Sequence, residues 1–306
     1  MPEFHLTFEK SIESQLQEIR KLPAGTVIRF DDSIDINDQN PRILELINGV
    51  LPHLQSGHIF PIDINFTRHL AELVGRKLAK NTILKVVYPI VPEVAIAAVK
   101  ELDELNTLWI SVENEQHVAA MKKLSPVPLA KIIAAGKPGL RVQLPAYLSS
   151  LTSRAAVHAL PDEGTLKLPE KILFEEAIAL VMALKPGQKL SLPNAMPFLI
   201  KQNLAALLPA GCGLEISLKT RNARALVAEL KKSCFVKFCY FQGEKQQTEY
   251  ALTDPGLSEK LLQHDQLFPL RKALSQFFES ATQIINPDRH HESDLSPKKE
   301  LSVRTI

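Results

Sequence analysis

The chain has 306 residues, 45% apolar and 23% charged, with 36 Lys and Arg against 34 Asp and Glu. This is a globular composition that excludes collagen-like and wholly disordered chains, and the balance of +2 argues against a general nucleic-acid or anionic-membrane binder. The longest apolar run, Ala177 to Leu184, is far short of the ~18 residues of a membrane helix, the opening MPEFHLTFEK has no apolar core of a secretory signal, and three clustered cysteines (Cys212, Cys234, Cys239) suit reduced thiols and not a disulfide framework.

In chain order, Phe4 to Lys21 reads as a helix with Leu16 and Ile19 on one face, so residues 1–21 are expected to form an N-terminal cap. Leu22 to Phe30 (LPAGTVIRF) reads as a turn and a first strand, with a longer helix behind it. Strand cores then recur at Phe60/Ile62, Leu84/Val86 and Leu108/Ile110, at a constant spacing of 24. Between residues 112 and 140 the phase slips. A helix broken at Ser125-Pro126-Val127-Pro128 accounts for it better than an extra strand over Leu129 to Ala134.

From Gly136 the repeat is plain. Segments beginning at Gly136, Leu160, Leu184 and Leu208 align without gaps, apolar at Val142, Leu166, Leu190 and Leu214, and again at Leu144, Leu168, Leu192 and Ile216. Each opens on a Pro/Gly turn and continues as a short alternating strand. In the first three, Pro145, Pro169 or Pro193 then stops the strand and an apolar helix follows, roughly Glu170 to Leu184 in the second. One strand and one helix cannot bury their own apolar faces, so neighbouring units must stack into a parallel sheet with helices behind. Phe235 to Phe238 is the last expected strand; helices over Leu257–His264 and Phe268–Ile285 would form a second cap (residues 241–285), and residues 286–306 read as a disordered tail.

The unit L-P-x-G-x-x-L-x-L-P followed by an apolar helix, over residues 22–240, resembles the leucine-rich-repeat family. The resemblance implies an α/β solenoid with parallel strands on a concave face, helices on a convex face and helical caps. The family's Asn or Cys ladder after the strand is not present; Pro145, Pro169 and Pro193 stand there instead. Degenerate repeats and a polar tail look like those of type IV-secreted effectors of intracellular bacterial pathogens. That likeness implies a virulence regulator, cytoplasmic in the producing cell and translocated into a host cell.

Motifs for chemistry are sparse. There is no G-x-S-x-G elbow and no phosphate loop; Ala135-Gly136-Lys137-Pro138-Gly139 lacks the spacing and Pro138 removes an amide. Cys212, in a Gly-flanked turn, reads as a packing residue. His53/His58, His290-His291 and Cys234-x4-Cys239 match no metal pattern, and Asp31-Asp32, Asp103/Glu104 and Glu175-Glu176 read as solvated acids. No catalytic residue, metal or cofactor is expected.

What remains is the sheet face turned away from the helices. Alternation places Asp63, Lys85, Trp109, Ser111, Arg141, Gln143, Lys167, Lys189, Ser191, Glu215, Ser217 and Lys237 there, with Arg29 and Asp31 at its start. A tryptophan beside Lys and Arg is the composition of a protein-binding hot spot, and the basic second half favours an acidic protein, a host protein or a co-secreted effector, as partner. The chain is expected to be a monomer when free. The rival readings are an enzyme with a site in residues 112–140 or in the C-terminal helices, and a nucleic-acid binder on the basic half of the sheet.

Overall fold

The structure, a computed structural model, describes residues 1–112, 123–146, 148–217, 223–231, 233–242 and 246–252. The chain divides into two compact units, Met1–Ala195 and Met196–Ile306. In the first, β1 (Glu3–Leu6), β2 (Val27–Phe30), β3 (Ile59–Ile62), β4 (Ile83–Tyr88), β5 (Thr107–Val112), β6 (Arg141–Gln143), β7 (Thr165–Lys167) and β8 (Lys189–Ser191) lie side by side in chain order, all parallel. Between them run α1 (Ile12–Ile19), α2 (Pro41–Val50), α3 (Arg68–Lys77), α4 (Pro92–Glu101), α5 (Pro126–Ala134), α6 (Ser150–His158) and α7 (Phe174–Met182). Each of these helices packs on the next in sequence. This is the stacking of strand–helix units that the spacing predicts.

The register carries the period. Ile59 pairs with Ile83 and Ile83 with Thr107, then Arg141 with Thr165 and Thr165 with Lys189, every step equal to one repeat. Glu3 pairs with Val27 at the same step, which overturns the expectation of a purely helical N-terminal segment. Residues 3–6 complete β2's hydrogen bonding and bury Leu6 entirely, while Ser11 caps α1 by accepting from the Ser14 N–H. The N-terminal segment is thus one more strand–helix unit.

Two steps are longer. Val27 pairs with Ile59, yet α2 is no longer than α3 or α4. The extra chain is not the longer helix expected. It forms a loop of Asx turns (Asp31 Oδ1 accepting from Ser33 N–H, Asn37 Oδ1 from Gln39 N–H) and a one-turn 3-10 helix, Leu51–His53. The second long step pairs Thr107 with Arg141. Within that insertion Leu129 to Ala134 is helical, in α5, so the extra strand does not form; residues 113–122 lie outside the described residues. Helix α7 is also shorter than expected, beginning at Phe174.

Most turns hold a left-handed residue two places before the strand: Gly25, Gly57, Asn81, Gly139, Glu163 and Gly187 in the first unit and Gly211 in the second. At Gly187 (φ +85°) an added Cβ would meet nothing within 4 Å, so glycine stands there for its backbone freedom and not for space. Where the repeat is regular the turns bond to one another, Gly57 N–H to Asn81 O and Gly139 N–H to Asp162 O, both 2.8 Å.

From β2 to β9 the residue immediately before the strand is buried, and in several units it is polar. His58 Nε2 faces Leu22 O at 3.4 Å, Asn106 Nδ2 donates to Ala79 O at 2.8 Å, and Gln188 Nε2 donates to Leu160 O at 3.0 Å. Each reaches back to the turn of the preceding unit and satisfies a main-chain carbonyl there, just past the helix. A side-chain ladder therefore ties the stack together, on the entry side of the strand and not after it.

His58 gives the ladder a pH dependence. The ring is fully buried and Nδ1 accepts from the Gln55 N–H, so the neutral tautomer carries its proton on Nε2, toward Leu22 O. Burial holds its pKa below the ordinary 6.5. The unfolded chain takes up this proton first as pH falls, so the stability His58 supports is complete above about pH 6.5 and declines below it. Urea midpoints should fall between about pH 7 and pH 5, and His58→Gln should flatten that part of the profile. An unchanged slope would remove His58 from this role.

In the second unit α8 (Phe198–Leu207), β9 (Gly213–Ser217), α9 (Ala223–Ala228), β10 (Phe235–Gln242) and β11 (Gln246–Leu252) follow one another. β9 and β10 are parallel, Gly213 pairing with Phe235. β11 returns antiparallel to β10, so residues 241–242 and 246–252 of the expected helical cap are strand. The helices expected over Leu257–His264 and Phe268–Ile285, and the tail, lie outside the described residues. Among the described residues no helix is long and apolar enough to cross a membrane.

Candidate functional site

Side-chain direction along these strands follows from the register. Phe60, Leu84, Leu108, Val142, Leu166 and Leu190 occupy adjacent positions on β3–β8 and are completely buried. Their neighbours on either side must project to the opposite face. One outward row is Pro61, Lys85, Trp109, Gln143, Lys167 and Ser191; the other, a step earlier, is Ile59, Ile83, Thr107, Arg141, Thr165 and Lys189.

On β6 to β8 the two rows differ in depth. Lys85, Trp109, Gln143, Lys167 and Ser191 are partly exposed, and Lys85 Nζ lies 4.7 Å from the centroid of the Trp109 ring, a cation–π contact between adjacent strands. Arg141 is 8% exposed and Lys189 9%. Arg141 Nη1 donates to Leu105 O and Lys189 Nζ to Glu163 O, at 3.3 and 2.7 Å, so both also brace the turns of the units before them. Ser111 is 1% exposed. These three stand on the expected face but are buried in it, because alternation fixes which way a side chain points and not how deep it lies.

The expected face residues from Asp63 to Ser191 thus belong to the first unit. Asp63, partly exposed just after β3, accepts from the Asn65 N–H and shapes the loop there. Glu215 and Lys237 pair in register on β9 and β10 of the second unit and are partly exposed; Ser217 pairs with Cys239 through the backbone, and its side chain is outside the described residues. On the outward positions of β4 to β8 stand the cations Lys85, Arg141, Lys167 and Lys189 and no carboxylate.

Sequence alone does not single out Thr165. It is 1% exposed, and its hydroxyl has no hydrogen-bond partner among the described residues. The signal that points to it is the register itself, since Thr165 stands between Arg141 and Lys189 on neighbouring strands.

Chemistry elsewhere is quiet. Burial pushes the Cys212 thiol up to about 11, with Cys234 beside it adding to the shift, and burial raises Cys234 too, so neither is a ready thiolate at neutral pH. No group of three or more His, Cys, Asp or Glu side chains among the described residues could hold a metal ion. A cleft of about 500 Å³ lies between residues 7–13 and the start of α2, where Arg42 stacks on Phe8 at 4.4 Å and Lys10 pairs with Glu18. Of the regions expected for an enzyme, the C-terminal helices and residues 113–122 of the 112–140 segment lie outside the described residues, and the rest of that segment holds the end of β5 and α5.

These strands and helices define an α/β protein of stacked, solenoid-like units. No family model, curated protein or solved structure matches the chain.

Proposed function

We propose that the first unit is a leucine-rich-repeat-like solenoid that binds an acidic protein on its outward sheet face, and so blocks or recruits it. The observation that carries this reading is the row Lys85–Trp109–Gln143–Lys167–Ser191. It offers an aromatic anchor with Lys85 on the adjacent strand and Lys167 two strands away, and no carboxylate on the outward positions of β4 to β8. The likeness of the repeat to secreted effectors makes a host protein or a co-secreted effector the partner, and a regulator the role.

The test is capture from bacterial and host lysates with wild type and two variants. Trp109→Ala with Lys167→Glu removes the anchor and a charge; Lys85→Glu with Lys167→Glu reverses two charges and removes the Lys85–Trp109 contact while keeping the anchor, at partly exposed positions, and should keep stability within about 1 kcal/mol. A stoichiometric acidic protein that survives nuclease treatment and is lost in both variants supports the proposal. Capture that nuclease abolishes, with binding falling steeply as salt rises, would assign the face to nucleic acid instead.

A further inference from the structure

We propose that β1 is a docking edge for a second copy of this chain, paired antiparallel so that Glu3 of each copy faces His5 of the other. β1 stands at one end of the sheet, and its one strand neighbour among the described residues is β2. Val27 N–H donates to Pro2 O and Asp31 N–H to Leu6 O, at 2.9 and 3.0 Å, so Pro2, Phe4 and Leu6 turn their main-chain groups toward β2. Alternation turns those of Glu3, His5 and Thr7 the other way.

The fold treats these three outward residues differently. At Thr7 the edge is closed from within: the buried Gln15 of α1 accepts the Thr7 N–H at Oε1, 3.0 Å, and donates from Nε2 to Thr7 O, 3.1 Å. At Glu3 and His5 nothing among the described residues takes up the outward N–H and C=O. Two such residues, one position apart, are what an antiparallel strand engages as successive hydrogen-bonded pairs.

Self-complementarity selects a second copy as that strand. Pairing about a two-fold axis at Phe4 sets Glu3 opposite His5 of the second copy and His5 opposite its Glu3, and each pair exchanges two main-chain hydrogen bonds. The side chains opposed on the outward face are then a carboxylate and an imidazole. Within one chain these two already lie 3.6 Å apart, with Asp31 3.7 Å from the other ring nitrogen. On the core side Phe4 ends the row Phe4, Ile28, Phe60, Leu84; the other three are completely buried, and Phe4 is partly exposed because no strand lies beyond it. On the axis it meets its counterpart as the closer, non-hydrogen-bonded pair, an aromatic cross-strand contact. The edge is three strands from Lys85, so this pairing is independent of the reading of the outward row. A four-residue strand makes a small interface, and the dimer is of the weak class, in place of the monomer expected from the sequence.

The test is sedimentation of the full chain from about 10 μM to about 1 mM, the range of weak complexes. Wild type should pass from monomer to dimer with concentration and grow no further. His5→Pro removes an outward N–H, leaves the β1–β2 bonds in place and suits a sheet edge, so the dimer should be lost while the melt matches that of dilute wild type. His5→Glu sets carboxylates opposite each other twice in the symmetric dimer and should weaken it about tenfold. Adding Glu3→Lys restores opposite charges and should recover association. If His5→Pro melts lower, this charge pair decides, since both variants keep the main chain of the edge. Wild type that stays monomeric at the highest concentration, or His5→Pro that dimerises like wild type, overturns the proposal. Growth beyond a dimer would mean a head-to-tail contact, and failure of Glu3→Lys to rescue His5→Glu a different register; either overturns it as well.

Discussion

Leu168→Asp should unfold the middle of the first unit, with a loss above about 4 kcal/mol. Leu168 follows β7, is 1% exposed, and its N–H bonds Ser191 O of the adjacent repeat. The substitution removes a buried leucine, itself a change of about 2–5 kcal/mol, and places a carboxylate in apolar surroundings. In a stack of repeats a lost layer also uncouples its neighbours. The total stability of such a domain is only about 5–15 kcal/mol, so the variant should be unfolded or nearly so at room temperature. Leu151→Asp is the matched control: Leu151 is 70% exposed near the start of α6, and its loss should be within about 0.5 kcal/mol. Leu192, which shares the alignment column of Leu168, is only partly buried, and Leu192→Asp should fall between the two. Circular dichroism melts of the three variants check the order. A wild-type melt for Leu168→Asp would mean that the register is wrong.

That register is legible because each repeat makes the same local decision. A Pro/Gly turn, a strand with alternating leucines and an apolar helix recur in constant phase, and stacking leaves no other way to bury them. The ends are less legible for a physical reason. Phe4 and Leu6 have no repeat turn before them, so their apolar spacing merges with that of Leu16 and Ile19 and reads as one helix. The structure places them in a strand because β2 offers a free edge to pair with. β11 has a polar sequence (QQTEYAL) and runs antiparallel, so it carries none of the signals of the repeat.

The candidate face is legible in direction and not in depth. Period-two alternation puts Arg141, Gln143, Lys167 and Lys189 on one face correctly, but Arg141 and Lys189 are buried and bonded to turns while Gln143 and Lys167 remain partly exposed. Burial depends on what neighbouring strands place alongside, which one strand's pattern does not contain. The ladder of His58, Asn106 and Gln188 is hidden for a simpler reason. The leucine-rich-repeat pattern puts its amide after the strand, whereas here the polar side chain precedes the strand and bonds the previous turn.

The helical layer offers an independent test in Gly75. A Cβ added to this residue of α3 would lie 2.1 Å from Ala98 O of α4, with the Ala98 carbonyl carbon at 2.9 Å. Both are main-chain atoms, so no rotamer change relieves the clash and the two helices must separate. Val74, Ala95, Ala98 and Val99, all fully buried, would lose contact together. Glycine to alanine inside a helix should by itself gain about 1 kcal/mol. The expected result for Gly75→Ala is nevertheless a net loss of about 3 kcal/mol from overpacking. Gly49 of α2 supplies the comparison. Its added Cβ would approach Ile12 Cδ1 at 2.7 Å, the far end of a flexible side chain that can turn away. Gly49→Ala should therefore stay within about 1 kcal/mol of wild type, with the propensity gain offsetting the adjustment of Ile12. Urea unfolding of the two variants separates the effects, since helix propensity is the same in both and only the nature of the opposing atom differs. Equal midpoints would mean that α3 and α4 do not approach this closely.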